Sequence, residues 1–141
     1  MPTLPDKLLT LFATYHLRRE KAVDDMAPLY AADVRFVDPF QDITGRDAFI
    51  RMNRKLVHRL EEMRFDDLAV VGAEPHFMIS WTSTIRAKLG PTIVAPGVSE
   101  FRSRDGLVVY HRDHWDLLSS VAGSIPGVGL VYRRITERIF G

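Results

Sequence analysis

The apolar residues of this chain change their period once, near Phe65, and no other feature restricts its fold as much. Ahead of that point they return every third or fourth position, as a helix requires. Leu4, Leu8, Leu11, Phe12 and Tyr15 form one such stripe behind Thr3, which reads as the cap of a first helix. A second, short helix is expected from Ala22 to Ala32, with Pro28 near enough to its start that only an early hydrogen bond is lost. Val34 to Val37 reads as a brief extended run, broken at Asp38-Pro39. A cap-like Thr44-Gly45-Arg46-Asp47 opens the third and longest helix, whose stripe runs through Phe49, Met52, Leu56, Leu60 and Met63. Beyond Phe65 the segments are extended, and turn signals at Gly72-Ala73-Glu74-Pro75, Leu89-Gly90-Pro91 and Asp105-Gly106 divide them into four strands. Helices first and strands afterwards is the order of an α+β fold, in which a curved, mostly antiparallel sheet wraps around three N-terminal helices.

At 141 residues the chain has the length of one domain, which argues against a two-domain enzyme built around a bound nucleotide. Nineteen basic residues nearly balance 18 acidic ones, so charge gives no reason to expect nucleic acid as a partner. The absence of cysteine removes disulfides, thiolate nucleophiles and cysteine-ligated metal sites together. The N-terminus lacks a basic region followed by an apolar core, and no stretch reaches the roughly 18 apolar residues of a membrane span. A cytoplasmic protein is therefore the expectation.

The strand faces follow from alternation. Phe77, Ile79, Trp81, Ser83, Ile85, Ala87 and Leu89 share the apolar, inward face of one strand. In the last strand Leu107, Val109, His111, Asp113, Trp115 and Leu117 share a face opposite Val108, Tyr110, Arg112, His114 and Asp116. The first set reads as the core face, yet it carries a His and an Asp. His111 and His114 contain a His-x-x-His spacing, but residues three apart on a strand face opposite ways, so no metal site is expected from them. Arg112, His114 and Asp116 read as the outer face. His16, His58 and His76 read as surface or capping residues.

Three segments carry a resemblance: Leu29-Tyr30-Ala31-Ala32-Asp33-Val34-Arg35-Phe36-Val37-Asp38-Pro39, Gly45-Arg46-Asp47-Ala48-Phe49, and Asp105 through Asp116. With them the chain resembles the nuclear transport factor 2-like superfamily, which includes ketosteroid isomerases, SnoaL-type polyketide cyclases and limonene-type epoxide hydrolases. The resemblance implies a cone-shaped, cystatin-like α+β barrel over residues 1–117, with residues 118–141 as a loop and amphipathic helix packed on the domain or on a partner subunit. It also implies a homodimer through the outer sheet face. Asp38 is similar to the general base of the isomerases. Tyr15 lies close to the position of their enolate-binding Tyr, and Ser99 stands where their sheet Asp would be. Asp113 resembles the catalytic carboxylate of epoxide hydrolases and SnoaL-type cyclases, although the Arg and Asp that epoxide hydrolases place one residue apart are absent from the strand carrying Trp81 and Ser83.

For Asp38 the other reading is a turn-organising carboxylate, and for Asp113 a structural one bonded to backbone or to His111. Phe36, Phe77, Ile79, Trp81 and Trp115 read as core aromatics and aliphatics or, in a partly filled cone, as the wall of a ligand pocket. The leading expectation is an enzyme that needs no cofactor and performs isomerisation, cyclisation, dehydration or hydration on a small hydrophobic molecule. Its catalytic residues would be Asp38, Asp113 and His111, and its substrate-binding residues Tyr15, Phe36, Phe77, Ile79, Trp81, Ser83, Ser99 and Trp115. The alternative is a non-catalytic small-molecule-binding or dimerisation domain. In the tail, Ser119 to Gly129 reads as a loop, and Val128, Val131, Tyr132, Ile135 and Ile139 as a helical stripe flanked by Arg133, Arg134 and Arg138. That helix is expected to close the cone mouth or meet a partner and not to lie on a membrane.

Overall fold

The computed structural model describes residues 1–125 and 127–141. The element order is α1 (Leu4–Arg18), α2 (Glu20–Met26), a single 3-10 turn (Ala27–Leu29), β1 (Tyr30–Val37), β2 (Asp42–Thr44), α3 (Arg46–Arg59), β3 (Leu60–Ala73), β4 (His76–Ala87), β5 (Thr92–Arg104), β6 (Leu107–Trp115), α4 (Leu117–Ser124) and α5 (Val128–Phe140). The strands form one open six-stranded sheet in the order β2-β1-β6-β5-β4-β3. Only β1 and β6 run parallel. The sheet is the curved, mostly antiparallel one expected from helices followed by strands.

Thr3 is the first helix's cap: its hydroxyl accepts from Asp6 N–H, and the Asp6 carboxylate accepts from Thr3 N–H, so two otherwise unpaired donors are satisfied. Leu8, Leu11, Phe12 and Tyr15 then enter the core, where Phe12 meets Phe65 edge-on at 4.8 Å and Phe101 at 6.2 Å.

Several boundaries differ from the periodicity. The second helix ends at Met26, six residues early; Pro28 sits in the 3-10 turn, and the chain turns to pair Tyr30 with Val108 of β6. Joining the sheet buries Tyr30 completely. The third helix ends at Arg59 and not at Met63, because Leu60 and Met63 pair with Ala87 and Ile85 of β4. Arg19 secures that end: its guanidinium donates to the carbonyls of Val57, Leu60 and Glu61, at 2.7, 2.7 and 2.9 Å. These carbonyls lie at or just past the helix end, where a helix leaves acceptors unpaired.

In β4 the inward set holds for Phe77, Ile79, Trp81 and Ser83, whereas Leu89 stands in the exposed turn after the strand. In β6 the inward set is interrupted. Tyr110 pairs with Arg102 and Val108 with Ser103, so Val109 is a bulged extra residue, and Val108 is fully buried in place of Leu107 and Val109. His111 remains inward and His114 outward.

The tail also departs from the reading. Leu117 to Ser124 is α4, capped by Asp116, whose carboxylate accepts from Ser119 N–H at 3.0 Å; Asp116 is thus a helix cap and not an outer-face strand residue. Pro126, read as part of that loop, lies outside the described residues. α4 packs on β5 and α5 on α4. No residue of α5 is buried. No helix of the described chain is long and apolar enough to cross a membrane.

On the outer face of the sheet, Glu100 of β5 accepts from His76 Nε2 at 2.7 Å and from His114 Nε2 at 3.0 Å. The hydrogen bond from His114, then that from His76, hold its carboxyl below the usual carboxylate range. A depressed folded-state value means stabilisation that is present above the unfolded value and lost as pH falls through the folded one. Relative to Glu100→Gln, the native protein should therefore be more stable by about 1 kcal/mol near pH 6, and the difference should be smaller at about pH 3. Urea melts of both proteins at the two pH values check this; an equal difference at both would refute it.

Candidate functional site

A cavity of about 500 Å³ opens between α1, α3 and the inner face of the sheet. Its volume is in the range of small-molecule sites. Most of its wall is apolar, including Phe36, Phe49, Phe65, Met52, Trp81 and Trp115. Asp38 and Asp113 both line it, as do His111, Tyr15 and Ser83. Phe77, Ile79 and Ser99 do not. Phe77 stacks on Phe101 at 5.2 Å and Ile79 is fully buried, so those two are core.

Ser99 takes part from behind the wall. Trp81 Nε1 donates to Ser99 Oγ at 2.9 Å, and Ser99 Oγ donates to Asp113 Oδ1 at 2.6 Å. An indole N–H can only donate, so the serine proton is directed at the carboxylate. The same Oδ1 lies 2.7 Å from His111 Nε2, and His111 Nδ1 lies 2.9 Å from the Tyr30 hydroxyl. Burial, then the charges of Asp113 and Tyr15, push the Tyr30 phenol well above its ordinary range, so it keeps its proton. His111 Nδ1 is the only acceptor which that proton meets among the described residues. The network therefore assigns Tyr30 O–H to Nδ1 and leaves Nε2–H to donate to Asp113. The chain Tyr30, His111, Asp113, Ser99, Trp81 is thus satisfied throughout, while Asp113 Oδ2 receives no hydrogen bond from a described residue.

The imidazole of His111 is packed among rings: Phe101 at 4.5 Å, Phe36 at 4.9 Å and Phe49 at 5.9 Å. Rotation is closed to it.

Asp38 is occupied differently. Its Oδ1 accepts from Phe40 N–H at 2.8 Å and Gln41 N–H at 3.0 Å, and its Oδ2 from Gln41 Nε2 at 3.0 Å. It organises the turn after β1 and lines the cavity at once. Tyr15 has a buried hydroxyl with no partner among the described residues. Burial, opposed only by the charge of Arg19, pushes its phenol up to about 12, so it is a protonated, unused donor across neutral pH.

The family follows from a match to the SnoaL-like domain model over residues 11–111. The chain belongs to the SnoaL-like domain family. Asp113 falls two residues past the matched stretch. Among solved structures, this SnoaL-like chain is similar to a candidate polyketide cyclase from Pseudomonas putida, with 14% identity, 89% of this chain and 99% of that one covered, and a TM-score of 0.73. It is similar also to a protein of ketosteroid isomerase-like fold from Catenulispora acidiphila, solved in complex with trimethylamine, at 21% identity, 85% and 92% coverage and a TM-score of 0.71. A phenazine biosynthesis-related protein from Pseudomonas aeruginosa matches at 11% identity, 85% and 82% coverage and a TM-score of 0.69. At such identities the likeness shows the fold alone. No curated protein matches the chain.

Tyr30 is the member of this hydrogen-bond network hardest to read from the sequence, since the helical look of Ala22 to Ala32 conceals its place in a strand. Phe49, Arg51, Asn53, Lys55 and Arg59 of α3 also line the cavity; the helical stripe contains Phe49 but gives no sign that it faces a cavity. Among the described residues no cluster of three or more His, Asp or Glu side chains is arranged to hold a metal ion.

Proposed function

We propose that this SnoaL-like protein performs acid/base chemistry on a small hydrophobic organic molecule, with Asp113 as the group that takes and returns the proton. The observation that supports this is the fully paired chain from Tyr30 through His111 that ends on a carboxylate at the wall of an apolar cavity. Ser99 and His111 fix the carboxylate through Oδ1, and Oδ2 is left for a substrate proton. His111 and Tyr30 act through Asp113 and are positioning residues. Asp38, whose oxygens are held by three donors, shapes the cavity as the second carboxylate. Tyr15 contributes its ring to the cavity wall, while its hydroxyl is buried too deeply to meet a substrate. In an isomerisation, Asp113 takes a proton from a carbon beside a carbonyl, the double bond shifts, and the proton returns to another carbon. Nothing is consumed. Cyclisation, dehydration and hydration draw on the same transfers.

The second reading is a binding module without catalysis, favoured by the Catenulispora protein of the same fold having been solved with a small organic molecule. Proton exchange separates the two. Apolar cyclic ketones such as 1-indanone, incubated with the protein in D2O and followed by proton NMR, should lose their α-hydrogens faster than in buffer. In Asp113→Asn, which keeps the shape and the bonds to Ser99 and His111, the rate should fall by roughly 10²–10⁴. If ketones bind but both proteins exchange them at the buffer rate, the binding module stands and catalysis falls.

A further inference from the structure

The mouth of the cavity carries charge that the proton chemistry does not use. Arg51, Lys55 and Arg59 all line it, and they follow one another at four-residue intervals on α3. That spacing puts them on one side of the helix, about 6 Å apart along its axis. Among the described residues none of the three makes a salt bridge or a side-chain hydrogen bond, although Arg54 of the same helix is paired with Asp24 at 2.6 Å. Two carboxylates also line the cavity, Asp38 held by its turn and Asp113 by Ser99 and His111, and neither forms an ion pair with these cations. An apolar interior therefore ends at a row of free cations, whose combined field favours an anion at the entrance.

We propose that the molecule bound here is an amphipathic organic anion, with its apolar body among Phe36, Phe49, Met52 and Trp81 and its carboxylate or other acidic group against Arg51, Lys55 and Arg59. The inference rests on the cavity being the substrate site and adds a charged end to the hydrophobic substrate class. It requires nothing of Asp113 as a base. Binding alone tests it, so its failure is separate from a failure of the exchange experiment.

Trp81 and Trp115 line the cavity, and their fluorescence reports occupancy. Octanoate, octanol and octylamine, three probes with one apolar chain and different heads, are titrated below their aggregation limits. Octanoate should bind roughly tenfold more tightly than octanol. The preference should shrink between 0.05 and 0.5 M NaCl, because the cations are exposed and screened. In Arg51→Gln/Lys55→Gln/Arg59→Gln, whose fold is checked by circular dichroism, octanoate should fall to the octanol level while octanol binding stays. Arg54→Gln should leave the preference unchanged. Equal binding of octanoate and octanol, no binding of either, a preference that survives the triple substitution, or tighter binding of octylamine would each overturn the proposal. The last would give the charge preference to the carboxylates instead.

Discussion

Phe101→Ala is expected to lower folding stability by about 3–5 kcal/mol, which for a chain of this length is a fall in melting temperature of roughly 15 °C. Phe101 has no exposed surface. Its ring meets Phe77 at 5.2 Å, Phe12 at 6.2 Å and His111 at 4.5 Å, so it joins α1, β4, β5 and β6 at a single point. Truncation removes the transfer free energy of a whole ring and leaves a void that rigid strands on either side cannot close. The void would also free one side of the His111 imidazole. A denaturant melt measures the first effect; a loss below about 1 kcal/mol would show that the sheet can collapse onto the gap, contrary to this account.

Gly97→Ala carries the second large effect, and it acts through the site. Gly97 faces Trp81 across β4 and β5. A Cβ there would stand 2.5 and 2.7 Å from two carbons of the indole and 2.8 Å from the His114 carbonyl. The carbonyl belongs to the paired strand β6 and cannot retreat, so the indole must move or the sheet must part. Overpacking of this kind costs about 1–3 kcal/mol, and contact with backbone places this case at the upper end. Because Trp81 Nε1 holds Ser99 Oγ, displacement of the ring should also release the serine from its orientation toward Asp113. The expected result is a lower melting temperature with red-shifted tryptophan emission. An alanine variant with native stability and native emission would mean that Trp81 has room the structure does not give it.

What these two substitutions probe was not equally legible beforehand. Alternation along β4 placed Phe77, Ile79, Trp81 and Ser83 on one face, because burial on one side of a pleated sheet repeats every second residue in the chain itself. The Thr3 cap, the order of helices before strands and the opposed faces of His111 and His114 came from equally local rules. The sequence also drew attention to Asp38 and Asp113, since an acid at an apolar wall is chemically conspicuous wherever it occurs.

Pairing over distance was decided only in the folded molecule. The Tyr30 hydroxyl meets an imidazole 81 residues away, and nothing in the helical look of Ala22 to Ala32 announces a strand that must pair in parallel with β6. The third helix stops at Arg59 because Arg19, 38 residues before Val57, donates to its last carbonyls and because β4 competes for Leu60 and Met63. The bulge at Val109 buries Val108 in place of Leu107 at the start of β6 and leaves His111 inward, a matter of register against β5. Likewise, Asp38 and Asp113 share one cavity through the curvature of the sheet. Periodicity records which side of an element is dry, a property each segment carries in its own residues. Hydrogen-bond partners, helix ends and cavity walls depend on what another segment brings to that side, and only the tertiary structure supplies it.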